Sequence, residues 1–435
     1  MNSYRCHSDN LHPRLTTIWV TLLTGIGAGL IGVAMSQLTK LIEWCAFGFS
    51  FSHAAMGVAD AAWWRRLIAA LVSGLAAGLL WTRIRPRPRG YLPTVNEAAS
   101  PGLRRRAHLP VLGTIGDGLA QLMVVDCGMS LGREAPPRRV PALIGQRLST
   151  RFQLDDEIRR VMIASAGGAG MAAVYNVPLA GAAYALEYII RPDLRRLSGW
   201  FKVAFAVGVS YLATSISWLF NHNASVYKMP DQRVQPLDLL WVGAVALAGL
   251  AVALPLRAAL RWSRQATMLT KHLWCSVPLA SLMVAAIALW QPRIAGNGQV
   301  LLQNALTGGL APISLALLGV LKGFSTVLGF RMGASGGLLT PSLAVGGAIG
   351  AMVASLSPAG PVTTAALVGA ACVLSITESQ PIFAALFAIE LSQANPMLAV
   401  MVILGVAVTW AAHRLLPGGS LGPCRNRGAL RRVLR

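Results

Sequence analysis

Long uncharged apolar segments alternate with short polar loops along most of the 435-residue chain. They approach or exceed the ~20 residues that a helix needs to cross a lipid bilayer. The segments are 16–39, 67–82, 203–220, 239–256, 273–291 and 391–413. The pattern predicts an all-α protein that crosses a membrane several times.

Two other regions, 107–190 and the part from 294 onward, are also apolar but are broken by Gly and Pro. Short helical pieces are stable at membrane depth only where they are buried in protein or line a cavity. The two regions resemble each other, because PLAGAAYALE at 178–187 aligns with PIFAALFAIE at 381–390. Two related halves with broken helices in corresponding places indicate a binding site near the middle of the bilayer.

This internal likeness divides the chain into two membrane repeats. We expect a cytoplasmic N-terminal segment at 1–15 and a first repeat at 16–220. A second repeat at 237–413 and a basic cytoplasmic tail at 414–435 complete the predicted organisation.

The composition supports insertion into a membrane. Hydrophobic residues make up 54% of the chain and charged residues 12%, about half the charged share of a typical soluble protein. The net charge of +22 lies in short loops between apolar segments, and such loops face the cytoplasm. We therefore expect a multi-pass protein of the inner (plasma) membrane with a cytoplasmic N-terminus, which contacts lipid and binds no nucleic acid.

No motif for metal, cofactor or enzyme chemistry is evident. The six cysteines show no CxxC or other metal-ligand spacing, and we interpret them as reduced packing residues. The sequence contains no HExxH motif that would support an intramembrane metalloprotease. We expect a protein without enzymatic activity, metal or cofactor. Transport of a larger solute is the remaining alternative to ion transport.

Glu134 is the strongest candidate for a functional side chain. It lies in Gly-Arg-Glu-Ala-Pro at 132–136, between apolar segments, and a carboxylate at bilayer depth costs roughly 2.5–3.5 kcal/mol on insertion scales. Pro136 favours the start of a helix, whose free N–H groups attract an anion. We interpret the stretch as part of an anion pathway in which Glu134 competes with the transported ion. The alternative is an ion pair of Glu134 with Arg133 or Arg138.

Four motifs together resemble the CLC family of chloride channels and chloride/proton exchangers, in its short form without cytoplasmic CBS domains. They are GREAP at 132–136, YNVPLAGAAYALE at 175–187, GGLLTP at 336–341 and SQPIFAALFAIE at 379–390. The resemblance implies two repeats of inverted topology with discontinuous helices. It also implies a homodimer in which each subunit has its own pore, with chloride as the transported ligand.

The same resemblance assigns roles to individual residues. Glu134 matches the gating glutamate of the family, which occupies the outer anion site and swings away. Backbone N–H groups match the donors to the anion, because neutral amides bind chloride without a counter-charge that would trap it. These groups belong to, or lie next to, Arg133, Ala135, Gly337, Leu338 and Leu339.

The chain departs from the family pattern at the inner end of the pathway. Gly90 stands where the family usually has a serine, which leaves Gly90 and Tyr91 as the candidate inner anion contacts. Leu339 replaces an aromatic residue, and 414–435 contains no counterpart of the tyrosine that usually closes the inner side.

The residues for proton coupling also differ. Exchangers have an acid directly after the position of Glu187, where this chain has Tyr188, and a tyrosine with a reference pKa near 10 is a poor proton carrier at neutral pH. A proton route would use Glu187 and Tyr188, or Glu378. We favour gated conduction and keep proton-coupled chloride antiport as the alternative. The simpler expectation for Glu187 and Glu390 is a solvated carboxylate at the end of a short helix.

Overall fold

The computed structural model describes residues 11–49, 57–85, 92–100, 108–223, 225–230, 235–265 and 272–416. These ranges are mostly helical, since apolar segments in a bilayer must satisfy their backbone groups internally. Their α-helices are α1 (Leu11–Phe47), α2 (Trp63–Ile84), α3 (Val95–Ala99), α4 (Val111–Asp126), α5 (Ala135–Arg151), α6 (Asp156–Tyr175), α7 (Pro178–Ala183), α8 (Leu197–Asn221), α9 (Asp238–Arg264), α10 (Leu273–Trp290), α11 (Gln299–Thr307), α12 (Pro312–Arg331), α13 (Leu339–Ala354), α14 (Val362–Glu378), α15 (Pro381–Ser392) and α16 (Pro396–Leu415). A π-helical segment, Tyr184–Ile190, continues α7.

Seven of the described helices are long and apolar enough to cross a membrane, which makes the chain a multi-pass protein. They are α1, α2, α8, α9, α10, α12 and α16. Six of them correspond to the apolar segments predicted from the sequence. The seventh, α12, was missed, because Lys322 interrupts its apolar run and the region from 294 onward was expected to contain only short pieces before the last span.

The two broken regions share the same local backbone features. The residues that end α6 and α14, Asn176 and Ser379, are both left-handed, with φ of 58° and 59°. A residue in this conformation ends a helix. Pro178 and Pro381 then begin α7 and α15 two residues later, where the fixed φ of proline suits a first helical position. The correspondence supports a two-repeat organisation, and its boundaries at 220 and 237 stay a prediction.

The interior of the protein is formed largely by the broken regions. Helix α5 packs on α6, and α13 packs on α14. Nearly all of α13 and the run from Thr364 to Ile376 in α14 are buried. Helices α5 and α13 therefore begin inside the protein rather than in lipid, as short helices at membrane depth require.

Some predicted features lie outside the described residues. These are the inner-contact candidates Gly90 and Tyr91, most of the N-terminal segment 1–15, and most of the tail 414–435. The described part of α1 begins at Leu11, within the segment expected to precede the membrane.

Candidate functional site

The two Gly-rich motifs meet at a short antiparallel backbone bridge between Gly132 and Gly337. The N–H of Gly132 donates to the Gly337 carbonyl at 2.9 Å, and the N–H of Gly337 donates to the Gly132 carbonyl at 2.6 Å. Helix α5 begins at Ala135 and α13 at Leu339. Because the first N–H groups of a helix have no intrahelical acceptor, free donors of both helices lie next to this bridge.

The Glu134 side chain is fully buried at the N-terminus of α13. Its Oε1 atom accepts hydrogen bonds from the backbone N–H of Thr340, at 2.8 Å, and from the Thr340 hydroxyl. Among the described groups, its Oε2 atom has no hydrogen-bond partner. A carboxylate with an unsatisfied buried oxygen is costly to maintain. The carboxylate occupies the helix end at which the sequence predicts an anion.

Glycine at 132 and 337 leaves the space that this carboxylate fills. A Cβ atom on Gly337 would lie 1.6 Å from Glu134 Oε2, and one on Gly132 would lie 2.0 Å from the same atom. Any side chain at either position would overlap the carboxylate. The two glycines of the motifs are therefore required by packing around Glu134.

Arg133 faces an outer cavity of about 630 Å³, on the side where α1 ends. Its Nη1 atom donates to Asp126 Oδ1 at 2.9 Å and to Glu43 Oε1 at 3.2 Å, and both acids are buried. Arg138 donates through Nε to the backbone carbonyl of Glu134 at 3.0 Å. The alternative interpretation of Glu134 is therefore wrong, since neither arginine hydrogen-bonds its carboxylate among the described contacts.

An inner cavity of about 450 Å³ is lined by Ala135, Gly337 and Leu338. Arg85 and Arg264 also line it, where α2 and α9 end next to the basic loops. Because basic loops tend to face the cytoplasm, we predict that this cavity opens toward the cytoplasmic side. The residues directly before and after Glu134 thus face different cavities, and the buried carboxylate lies between them.

Lys322, in α12, is fully buried. Its Nζ atom donates to the carbonyls of Ile294, at 3.0 Å, and Gly296, at 2.6 Å. A Cβ atom on Gly298 would lie 3.0 Å from Lys322 Cε and 3.4 Å from the Thr340 carbonyl oxygen. The lysine therefore passes beside the first turn of α13. The Lys322 amine therefore lies behind the anion site, where two backbone carbonyls hold it.

Glu187 and Glu390 link the two repeats by capping each other's short helices. The Glu187 carboxylate accepts from the first N–H groups of α15 at 2.8 and 3.3 Å. The Glu390 carboxylate accepts from the first N–H groups of α7 at 2.7 and 3.0 Å. Both side chains are half-buried, so the expected helix-end carboxylates also act as caps. Sequence alone does not show this second role, because it does not reveal that each helix begins beside the end of the other.

Of the three candidates for a proton route, two line the inner cavity and one does not. Tyr188 lines the inner cavity and stacks on Tyr184 with ring centroids 5.8 Å apart. Glu378 also lines this cavity, whereas Glu187 does not. Of the acids that the sequence suggested, Glu378 is the one that faces the inner cavity.

The structure groups most of the predicted site residues around Glu134. Ala135, Gly337, Leu338 and Leu339 surround the bridge, while the Arg133 side chain turns to the outer cavity. Sequence reasoning missed Thr340, although it belongs to the same GGLLTP motif. Within the described ranges, no three His, Cys, Asp or Glu side chains lie together as metal ligands.

The sequence model of the family described as "Voltage gated chloride channel" matches residues 73–412, more than half of the chain. The chain belongs to this family, the CLC family. The matched range contains Glu134, both glycines of the bridge and both short capped helices. The resemblance based on the four motifs is therefore confirmed.

Curated CLC relatives are similar along nearly their whole length. The "Voltage-gated ClC-type chloride channel ClcB" of Escherichia coli O17:K52:H18 is 28% identical over 412 residues, which cover 91% of this chain and 96% of the relative. The protein of the same description from Escherichia coli strain K12 / DH10B has the same identity and coverage. Together with the seven apolar helices, this similarity identifies a multi-pass protein of the inner membrane.

Two solved CLC structures share the fold. A slow cyanobacterial Cl⁻/H⁺ antiporter superposes with a TM-score of 0.74 at 20% identity, covering 93% of this chain and 95% of that one. A CLC-type fluoride/proton antiporter gives a TM-score of 0.70 at 17% identity, covering 94% and 96%. The predicted fold class, an all-α CLC-like membrane protein with discontinuous helices, is confirmed.

Proposed function

We propose that this protein transports chloride and related small monovalent anions across the membrane, with Glu134 as the gate. The position of the Glu134 carboxylate carries the proposal. It is buried between two cavities and accepts a hydrogen bond from the N-terminus of α13. An anion that replaced it would meet the same donors, because free helix N-terminal N–H groups bind anions.

The chemistry of the site favours transport over catalysis. Backbone amides hold the ion without a permanent covalent or ionic partner, so binding is weak enough to be reversed quickly. We assign the central donors to the backbone of Gly337, Leu338 and Leu339, and the outer donors to the region of Arg133 and Ala135. The family names of the relatives point to the same class of substrate.

We also propose a homodimer in which each subunit transports independently. A single chain supplies both cavities and the gate, so one subunit contains a complete path. Cross-linking of purified protein in detergent should give a covalent dimer. Only monomer across a range of cross-linker concentrations would contradict this assignment.

Replacement of Glu134 by Gln tests the gating role. The uncharged amide cannot lose or gain the carboxyl proton, so we expect chloride efflux from proteoliposomes to become insensitive to pH. Any proton movement coupled to chloride should be abolished. Unchanged pH dependence in Glu134→Gln would show that another group controls the path.

Proton-coupled chloride antiport is the second candidate, favoured by one observation. Glu378 faces the inner cavity together with Tyr188, and a proton from the cytoplasm would reach Glu134 through this space. A reversal-potential measurement in a chloride gradient, with and without a pH gradient, separates the two. A potential that shifts with the pH gradient, and that becomes insensitive to it in Glu378→Gln, identifies antiport. A potential set by chloride alone identifies a channel.

A further inference from the structure

Four arginines and two carboxylates face the inner cavity. They are Arg85, Arg138, Arg139, Arg264, Asp117 and Glu378. The lining therefore carries two more positive than negative charges. An excess of like charge in a partly enclosed space raises the free energy of the empty site and attracts anions into it.

Three of these arginines are fixed in place before any ligand arrives. Arg85 donates to the Gly333 carbonyl at 2.8 Å and lies over the Trp81 ring. Arg139 pairs with Asp117, and Arg138 is held by the Glu134 carbonyl. Because their side chains are already ordered, a ligand that binds them loses little further side-chain entropy.

The two acids do not neutralise this set. Asp117 accepts from Trp81 Nε1, at 2.9 Å, and from Gln121 and Arg139, so its carboxylate is already saturated with donors. Glu378 interacts electrostatically with both Arg138 and Arg264 but has no hydrogen-bond partner among the described residues.

Arg85 keeps its charge in this setting. Burial lowers the pKa of its guanidinium to about 10, and the nearby Asp117 carboxylate offsets part of that shift. The group stays protonated at neutral pH. Arg85 therefore contributes a positive charge to the lining of the inner cavity.

We propose that the inner cavity binds a doubly charged oxyanion of the sulfate or inorganic phosphate class, which enters from the cytoplasm and blocks the path to Glu134. A dianion matches the excess of two positive charges. Guanidinium groups present paired N–H donors that suit the oxygens of such an ion. A cavity of about 450 Å³ has room for a polyatomic ion and its remaining water.

Binding is measured first, on purified protein in detergent, by titrating sodium sulfate into chloride-free buffer in a calorimeter. We expect saturable binding to the unmodified protein. Arg138→Gln should weaken it roughly tenfold, the effect of losing one charge-assisted hydrogen bond. Arg264→Gln should weaken it as well, and because Arg264 is exposed at the rim, this variant keeps the test valid if Arg138→Gln fails to fold.

Arg331→Gln is the matched control. Arg331 lies over the Trp262 ring, 4.3 Å from its centroid, and does not line the inner cavity. Sulfate binding should be unchanged in this variant. No saturable binding, or equal weakening in Arg331→Gln and Arg264→Gln, would overturn the proposal, since the latter indicates only general attraction to basic protein.

The blocking step rests on the proposed anion transport and has its own readout. Sulfate added to inverted membrane vesicles, whose cytoplasmic face is outside, should slow chloride uptake, and the same addition to right-side-out vesicles should not. Sulfate binding without any chloride flux would count against the proposed function and leave the binding site standing. Equal slowing from both faces would overturn the block.

Varying the lipid composition distinguishes a free oxyanion in solution from the phosphate group of a lipid. Reconstituted vesicles of phosphatidylcholine alone contain no lipid with a net negative charge, so any anionic ligand there is the added sulfate or phosphate. If inclusion of phosphatidylglycerol abolishes the sulfate effect, a lipid phosphate group occupies the same arginines. If the effect is unchanged, the site takes the soluble ion.

Discussion

Glu134 is buried beside Gly132 and Gly337 because neither neighbour has a side chain. A Cβ atom at these positions would lie 1.6 and 2.0 Å from the carboxylate. A shift of a few tenths of an ångström could not relieve so large an overlap. In the proposed gating role, a transported anion would occupy the same space after the carboxylate has moved away. At the scale of single residues, the site depends on the missing side chains of the two glycines as much as on its hydrogen-bond donors.

Gly337→Ala should therefore obstruct the anion site. A methyl group there fills the position of Glu134 Oε2, and overpacking of this kind costs about 1–3 kcal/mol. We expect chloride flux in proteoliposomes to fall by roughly tenfold. Gly208→Ala is the control, since nothing lies within 4 Å of its Cβ position. Normal flux in Gly337→Ala would mean that anions pass elsewhere.

The sequence predicted Glu134 and its glycines but not all of their partners. A carboxylate within apolar sequence, next to Gly and Pro, is visible locally. The partners of Lys322 are carbonyls 26 and 28 residues away in the chain, and no local pattern reveals them. For the same reason, α12 was not predicted as a membrane-spanning helix. A charged residue in an apolar run indicates a break in the span unless its buried partners are known.

Short helices are the elements on which this fold depends. Helices α7 and α15 each begin at a proline, and each has its N-terminal N–H groups satisfied by a glutamate from the other repeat. The start of each helix and the likeness between the two copies were predictable from sequence. Their mutual capping was not, because it depends on how the repeats pack together.

Glu390→Ala should destabilise the folded protein. It leaves two N–H groups at the start of α7 without an acceptor, at a cost of about 1–3 kcal/mol. Thermal unfolding in detergent should show a lower midpoint. The comparison is Glu157→Ala, which removes an exposed ion pair with Lys202 and should change stability by about 1 kcal/mol or less. Equal midpoints for the two variants would contradict the capping role.

At the scale of the whole molecule, the orientation in the membrane is predicted from the basic loops. Arginines at the ends of α2 and α9 face the inner cavity, and the chain enters the membrane at α1 from the predicted cytoplasmic side. The distribution of basic loops predicts this orientation from sequence. The two cavities could not be predicted, because their walls come from helices far apart in the chain.

Exposed cysteines at opposite ends of the molecule test the orientation. Cys45, near the end of α1, and Cys275, near the start of α10, are both exposed free thiols. In right-side-out vesicles, a membrane-impermeant maleimide should label a variant that retains only Cys45. A variant that retains only Cys275 should react after permeabilisation and not before. The reverse pattern would invert the assigned topology.

The backbone bridge between Gly132 and Gly337 limits what can pass when Glu134 moves. Its two hydrogen bonds join the residues that precede α5 and α13, so these helix ends cannot separate without breaking both. If Glu134 is the gate, rotation of its side chain would open the path without breaking this bridge, and the main chain would set the width of the opening. Such a rigid aperture selects by size. If Glu134 is the gate, we expect this aperture to pass a small anion and to exclude larger organic solutes.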